Sequence, residues 1–240
     1  MKGRALKRQR TLARALPRGA GRGRELLDRL GFHLTRAQAR VVSEVLDDLQ
    51  QTVPMLRLIQ GDVGSGKTIV AVLAAAIVIS HGAQVAIIAP TEILAEQHYH
   101  LAKNIFKGTN IEIGFLTGNT KIVNRKIIID KLINGKINLL IGTHALFQKN
   151  IFFKNLGLVI IDEQHKFGVK QRLDLANKGG NECDLLLLSA TPIPRTLILT
   201  HYGDMDVSRL VEKPANRKKI ITLSKPEEKL NEVLFFLKKQ

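Results

Sequence analysis

The sequence predicts an α/β fold, a mostly parallel sheet with helices on both faces. Three observations carry that prediction. After Pro54, short apolar and β-branched runs recur, each about as long as a strand. Helical stretches separate most of them, which is how successive strands come to lie parallel. Short, mainly apolar strands alternating with helices fit a parallel sheet covered on both faces.

Residues 1–24 contain nine Lys or Arg (Lys2, Arg4, Lys7, Arg8, Arg10, Arg14, Arg18, Arg22, Arg24) and no acid. With Pro17, Gly19, Gly21 and Gly23 as breakers, this arm reads as disordered or loosely helical. Glu25–Leu30 has room for a short helix. From Thr35 to about Gln50 the pattern is helical, with Ala37, Val41, Val42, Val45, Leu46 and Leu49 on one face and Thr35 as N-cap. Strands are expected at Met55–Gln60, Gln84–Ala89, Ile111–Leu116, Asn138–Ile141, Leu158–Ile161 and Asp184–Leu188, with helices at Lys67–His81 and Glu92–Phe106 among them. Further on, Val207–Val211 and Lys219–Leu223 read as strands and Glu227–Lys239 as a helix. The expected organisation is an arm over 1–24, one domain over 25–223, and over 224–240 the helical start of a linker or a further domain. There is no internal repeat.

Composition narrows the class. The 240 residues, 45% hydrophobic and 24% charged, exclude wholesale disorder and a fibrous repeat. The longest apolar run is Ile69–Ile79, well short of the roughly 18 residues a membrane span needs. The N-terminus has no signal-peptide core. A lone cysteine, Cys183, rules out an intrachain disulfide and a zinc cluster. The expected setting is therefore cytoplasmic and without a membrane partner. There are 37 Lys and Arg against 21 acids, a net charge of +16. A basic arm on a basic body fits a nucleic-acid partner, and equally a solvated tail that binds nothing specific.

The strongest motif is Gly61-Asp62-Val63-Gly64-Ser65-Gly66-Lys67-Thr68, which matches G-x-x-x-x-G-K-[ST]. It joins an expected strand to an expected helix, the context this signature requires. Glycines let the backbone curl so that successive N–H groups point at phosphate oxygens, and the helix N-terminus adds partial positive charge. Lys67 then reaches the β- and γ-phosphates, and the Thr68 hydroxyl coordinates Mg²⁺.

The apolar run Leu158–Ile161 delivers Asp162 and Glu163 at its end. In a nucleotide site the first acid holds Mg²⁺ and the second orients and deprotonates a water. Alone, such a pair is also what a solvated turn looks like; the phosphate loop earlier in the same sheet is what gives it chemical meaning. Ser189 and Thr191 follow the run Asp184–Leu188 and suit a hydroxyl relay, or simply a polar turn before Pro192.

Taken together, these pieces resemble superfamily 2 helicases. The strings Gly61–Thr68, Pro90–His98, Gly142–Leu146, Asp162–Val169, Ser189–Thr196 and Tyr202–Val207 look like the RecG family of bacterial ATP-dependent DNA helicases. Gln164 and the Pro90–His98 string separate the chain from the related transcription-repair coupling factors. The resemblance implies a RecA-like P-loop NTPase domain, the first of two motor domains, with ATP and Mg²⁺ as cofactors and branched duplex DNA as partner. It implies that Lys67 and Thr68 bind phosphate and metal, that Asp162 is the metal-holding acid, and that Glu163 is the water-activating one. Gln38 resembles a glutamine that reads adenine, which its paired donor and acceptor allow; it reads equally as a surface helix residue. Thr91, Thr143 and His144 look like contacts to the DNA backbone. Ser189, Thr191 and His165 look like groups that couple ATP to DNA. Lys166 and Arg195 fit a contact to either. The chain looks truncated relative to the family, whose second motor domain supplies arginines to the γ-phosphate. That domain is expected on another chain, and the isolated one is expected to hydrolyse ATP weakly. The alternative is an inert remnant that only binds nucleotide or nucleic acid.

Overall fold

Seven strands form one sheet in the order β3-β4-β2-β5-β6-β1-β7, and every neighbouring pair is parallel. The computed structural model describes residues 33–148, 150–163, 183–191, 205–212 and 226–238. In chain order these form α1 (Arg36–Leu49), β1 (Leu56–Gly61), α2 (Lys67–Ser80), β2 (Gln84–Ile88), α3 (Glu92–Ile105), β3 (Ile113–Leu116), α4 (Ile122–Ile133) and β4 (Leu139–Gly142). A 3₁₀ turn (His144–Phe147), β5 (Leu156–Ile161), β6 (Asp184–Ser189), β7 (Asp206–Leu210), a second 3₁₀ turn (Glu227–Lys229) and α5 (Leu230–Lys238) follow. The basic arm, the expected helix Glu25–Leu30, the expected strand Lys219–Leu223, and Gln164, His165, Lys166 and Arg195 lie outside the described residues.

The helix α1 starts where its cap permits. The Thr35 side chain accepts from the Gln38 N–H, and the Gln38 side chain accepts in return from the Thr35 N–H, a reciprocal capping box. The Glu212 carboxylate accepts from Ala37 N at 3.0 Å, placing negative charge at the positive end of the helix. Ala37, Val41, Val45 and Leu49 are buried as the 3.6-residue period requires, whereas Val42 and Leu46 are only half-buried. The next helix, α2, is apolar on all sides and buried almost throughout. It lies in the core with α1 and the sheet strands, where each fully buried Val, Leu or Ile contributes about 1.5–3 kcal/mol. The opposite face of the sheet is covered by a second cluster that includes Leu116, Leu132, Leu140, Leu146 and Ile151.

The sequence reading assigns no particular element to Ile122–Ile133 and a single helix to Glu227–Lys239. The segment Ile122–Ile133 is a helix despite its Ile127-Ile128-Ile129 run, because burial of Leu132 and packing of Ile128 and Ile129 outweigh the weak helix preference of β-branched residues. It leaves Ile122, Val123 and Ile127 exposed. The C-terminal helix opens with the 3₁₀ turn Glu227–Lys229 rather than as one α-helix.

Both ends of the sheet are tied by side chains. At the amino ends of the strands, Asp184 Oδ1 accepts from Met55 N at 2.7 Å. Buried Gln84 donates to the carbonyls of Leu132 and Ile137 and accepts from Asn155 N. At the carboxyl ends the strands β1, β2, β4, β5 and β6 each deliver one of the sequence motifs, which is where doubly wound sheets bind ligands.

Candidate nucleotide site

The phosphate loop leaves β1 at Gly61 and enters α2 at Lys67. Its shape requires glycine at both ends. A Cβ on Gly61 would lie 2.7 Å from Ser65 Oγ and 2.9 Å from the Leu210 carbonyl. Gly66 is the N-cap of α2 at φ +89, a left-handed conformation, and a Cβ there would lie 2.1 Å from Gln38 Nε2. Asp62 and Val63 are exposed at the tip, Gly64 is also left-handed, and Ser65 is buried.

Lys67 folds back over the loop it follows. Its Nζ donates to the Gly61 carbonyl at 2.5 Å and the Asp62 carbonyl at 3.0 Å. Burial holds its pKa below the ordinary lysine value, against the opposing pull of the Asp162, Glu163 and Asp62 charges. Those charges place the acid pair within electrostatic reach of the loop. Thr68 follows in the first turn of α2.

At the end of β5, Asp162 is buried and both its oxygens have partners. Oδ1 accepts from the N–H of Glu163 at 2.9 Å, and Oδ2 meets His98 Nε2 at 2.7 Å. Glu163 adopts φ +47, the one left-handed non-glycine among the described residues. Such a conformation is strained and is found at functional turns.

The other expected site residues separate into surface and interior. Gln38 is not a surface residue: it is 4% exposed, and its Nε2 donates to the Ser65 carbonyl at 2.9 Å. One Nε2 hydrogen and one Oε1 lone pair remain beyond the bonds to Ser65 and Thr35. Thr91 caps α3, accepts from Leu94 N, and is exposed. His144 is exposed in its 3₁₀ turn, but the neighbouring Thr143 is 2% exposed. Ser189 is buried at the end of β6, and its hydroxyl contacts the Thr191 hydroxyl at 3.1 Å.

Sequence reasoning missed two residues. His98 was part of a motif string but had no role. Gln60 read as an ordinary strand residue, yet its Nε2 donates to the Thr191 carbonyl at 3.1 Å, joining the strand before the phosphate loop to the turn after β6. The available signal was a polar residue following the apolar pair Leu58-Ile59 immediately before the phosphate loop.

These donors fit a Mg²⁺–nucleotide. The loop is shaped so that a Cβ would obstruct it, the buried Ser65 Oγ has no hydrogen-bond partner, and a hydroxyl and a carboxylate suit a hard cation. Among the described residues no three His, Cys, Asp or Glu side chains gather as a metal cage. A cation here would take its remaining ligands from phosphates and water.

The DEAD/DEAH box helicase family matches residues 35–199. The chain belongs to that family. It is similar to the ATP-dependent DNA helicase RecG of Aquifex aeolicus, 51% identical over 83% of this chain and 25% of the relative. RecG of Haemophilus influenzae is 50% identical over 87% of this chain and 31% of its own length. In three dimensions the chain is similar to RecG bound to a three-way DNA junction, with 42% identity and a TM-score of 0.85 over 98% of this chain and 31% of that one. The chain thus spans about a quarter to a third of these relatives. The RecA-like fold and the resemblance drawn from the motifs both hold. No described helix of this helicase domain is long and apolar enough to cross a membrane.

Proposed function

We propose that this domain is the ATP-binding motor half of a DNA helicase, coupling ATP hydrolysis to movement on branched duplex DNA in recombination and repair in the cytoplasm. The observation that carries the reading is that the phosphate loop after β1 and the acid pair after β5 leave the sheet at its same, carboxyl end, where the charges of Asp162 and Glu163 act on Lys67, with Gln60 joining β1 to the Thr191 carbonyl. The similarity to RecG bound to a three-way DNA junction supports the choice of DNA. A second motor domain is the partner that would complete the cleft.

The protein groups divide the work. Loop N–H groups and the N-terminus of α2 bind the phosphates, and Lys67 turns from the Gly61 and Asp62 carbonyls to phosphate oxygens. Thr68 and Asp162 would hold Mg²⁺, which supplies positive charge against the developing phosphate charge. Glu163 orients the attacking water and takes its proton. Gln38 offers adenine its remaining hydrogen and lone pair. The exposed Thr91 and His144 meet the DNA backbone; the buried Thr143 hydroxyl would first have to be uncovered. Ser189 and Thr191 relay between the two, and His165 joins them on the resemblance alone.

The test is ATP hydrolysis by the purified chain without DNA, with single strands and with a branched duplex, beside Lys67→Ala. The expected result is slow turnover that DNA raises and Lys67→Ala abolishes. Lys67-dependent nucleotide binding with no turnover would reduce the domain to a binding module, and turnover that survives the substitution would contradict the site.

A further inference from the structure

His98 lies on the buried face of α3, one turn along from Ala95 and one turn before Ala102. An aliphatic side chain would fill that position without polar cost. Instead an imidazole stands there, its side chain 7% exposed, with Nε2 2.7 Å from Asp162 Oδ2, whose side chain is 11% exposed. With Asp162 as a carboxylate, Nε2 carries the hydrogen and donates it. The other oxygen, Oδ1, is already held by the N–H of Glu163. Two fixed donors on two oxygens leave the carboxylate one orientation, with lone pairs still available for a cation.

The same helix is anchored at its start. Thr91 caps it, and the Glu92 carboxylate accepts from Asn119 Nδ2 at 2.8 Å. Hydrogen bonds from Thr117 and Asn119 hold Glu92 below the usual carboxylate range. One rigid element therefore runs from an exposed loop at the sheet edge to the carboxylate at the end of β5.

We infer that His98 is a positioning residue: it orients Asp162 for Mg²⁺ and joins α3 to the cation site. This rests on reading Asp162 as a cation-holding carboxylate. Outer partners that orient a ligating carboxylate typically alter metal affinity about 10–100-fold when removed.

The test follows binding of the fluorescent nucleotide mant-ADP to the full chain as Mg²⁺ is titrated, and again in EDTA. The variants are His98→Leu, His98→Asn and His98→Gln, because a Gln amide nitrogen reaches the place of Nε2 and an Asn amide does not. Thermal melting reports folding. The expected result is that His98→Leu and His98→Asn raise the half-saturating Mg²⁺ about tenfold or more, leave affinity in EDTA unchanged, and that His98→Gln restores most of the loss. If His98→Leu does not fold, the Asn and Gln pair decides. Wild-type Mg²⁺ dependence in His98→Asn, or a Gln variant as impaired as Asn, would overturn the inference while leaving the nucleotide site intact. A wild-type protein whose mant-ADP affinity ignores Mg²⁺ would remove both it and the reading of Asp162.

Discussion

Gln38 Nε2 donates to the Ser65 carbonyl at 2.9 Å, so the first helix is bonded directly to the phosphate loop. The same nitrogen occupies the space that a side chain on Gly66 would need. A residue expected either to read adenine or to face water thus also braces the loop.

Gly66→Ala should destabilise the domain by two separable effects. The left-handed backbone costs an alanine about 1–2 kcal/mol, and the overlap with Gln38 adds to it. Urea denaturation of Gly66→Ala, Gln38→Ala and the double variant should show a positive coupling, the glycine penalty falling to the backbone part alone once Gln38 is shortened. A penalty unchanged by Gln38→Ala would mean the overlap is relieved elsewhere. Gln38→Ala should also cost ATP about tenfold in affinity, the size of one lost hydrogen-bonding group, and GTP less.

Gln60→Leu should separate binding from coupling. It keeps the shape of β1 but loses the bond to the Thr191 carbonyl. Nucleotide affinity is expected within about twofold of wild type, with DNA stimulation of turnover reduced three- to tenfold, the worth of one hydrogen bond. Equal loss of both, measured as nucleotide Kd and as the DNA-stimulated rate, would make Gln60 a merely structural residue.

Asp184 should make stability fall as pH rises. Burial lifts its pKa from 3.8 to about 7, the Met55 N–H opposing and the Asp48 charge assisting. Between those values the folded protein keeps a proton that the unfolded chain has released, so unfolding becomes easier with each step up in pH. Above about 7 the penalty is complete. Asp184→Asn removes the titration and retains an acceptor for Met55 N. The variant should be more stable than wild type at pH 8, by on the order of 3 kcal/mol, and the gap should close toward pH 4. Denaturant midpoints across that range check it; a gap independent of pH would contradict the assignment to Asp184.

The sequence carried much of this molecule for identifiable reasons. Strands such as Leu158–Ile161 were legible because burial on both faces makes them apolar throughout. The phosphate loop was legible because backbone geometry there tolerates little but glycine. The helix α4 was not, since β-branched isoleucines prefer strands and only tertiary packing of Ile128, Ile129 and Leu132 decides otherwise. Nor were the His98–Asp162 and Gln60–Thr191 contacts, which join residues 64 and 131 positions apart. Such pairs are made by strand order, and local periodicity does not encode strand order.

The central claim is that Gly61–Thr68 with Asp162 and Glu163 forms a Mg²⁺–nucleotide site dependent on Lys67. The most direct measurement is binding of mant-ATP with Mg²⁺ to wild type and to Lys67→Ala, with melting temperature recorded for both. The prediction is saturable binding that weakens about 10–100-fold in the variant, the worth of a charge-assisted hydrogen bond to phosphate, in a protein that still melts cooperatively. Equal affinity in the two proteins, or no binding to a folded wild type, would contradict it.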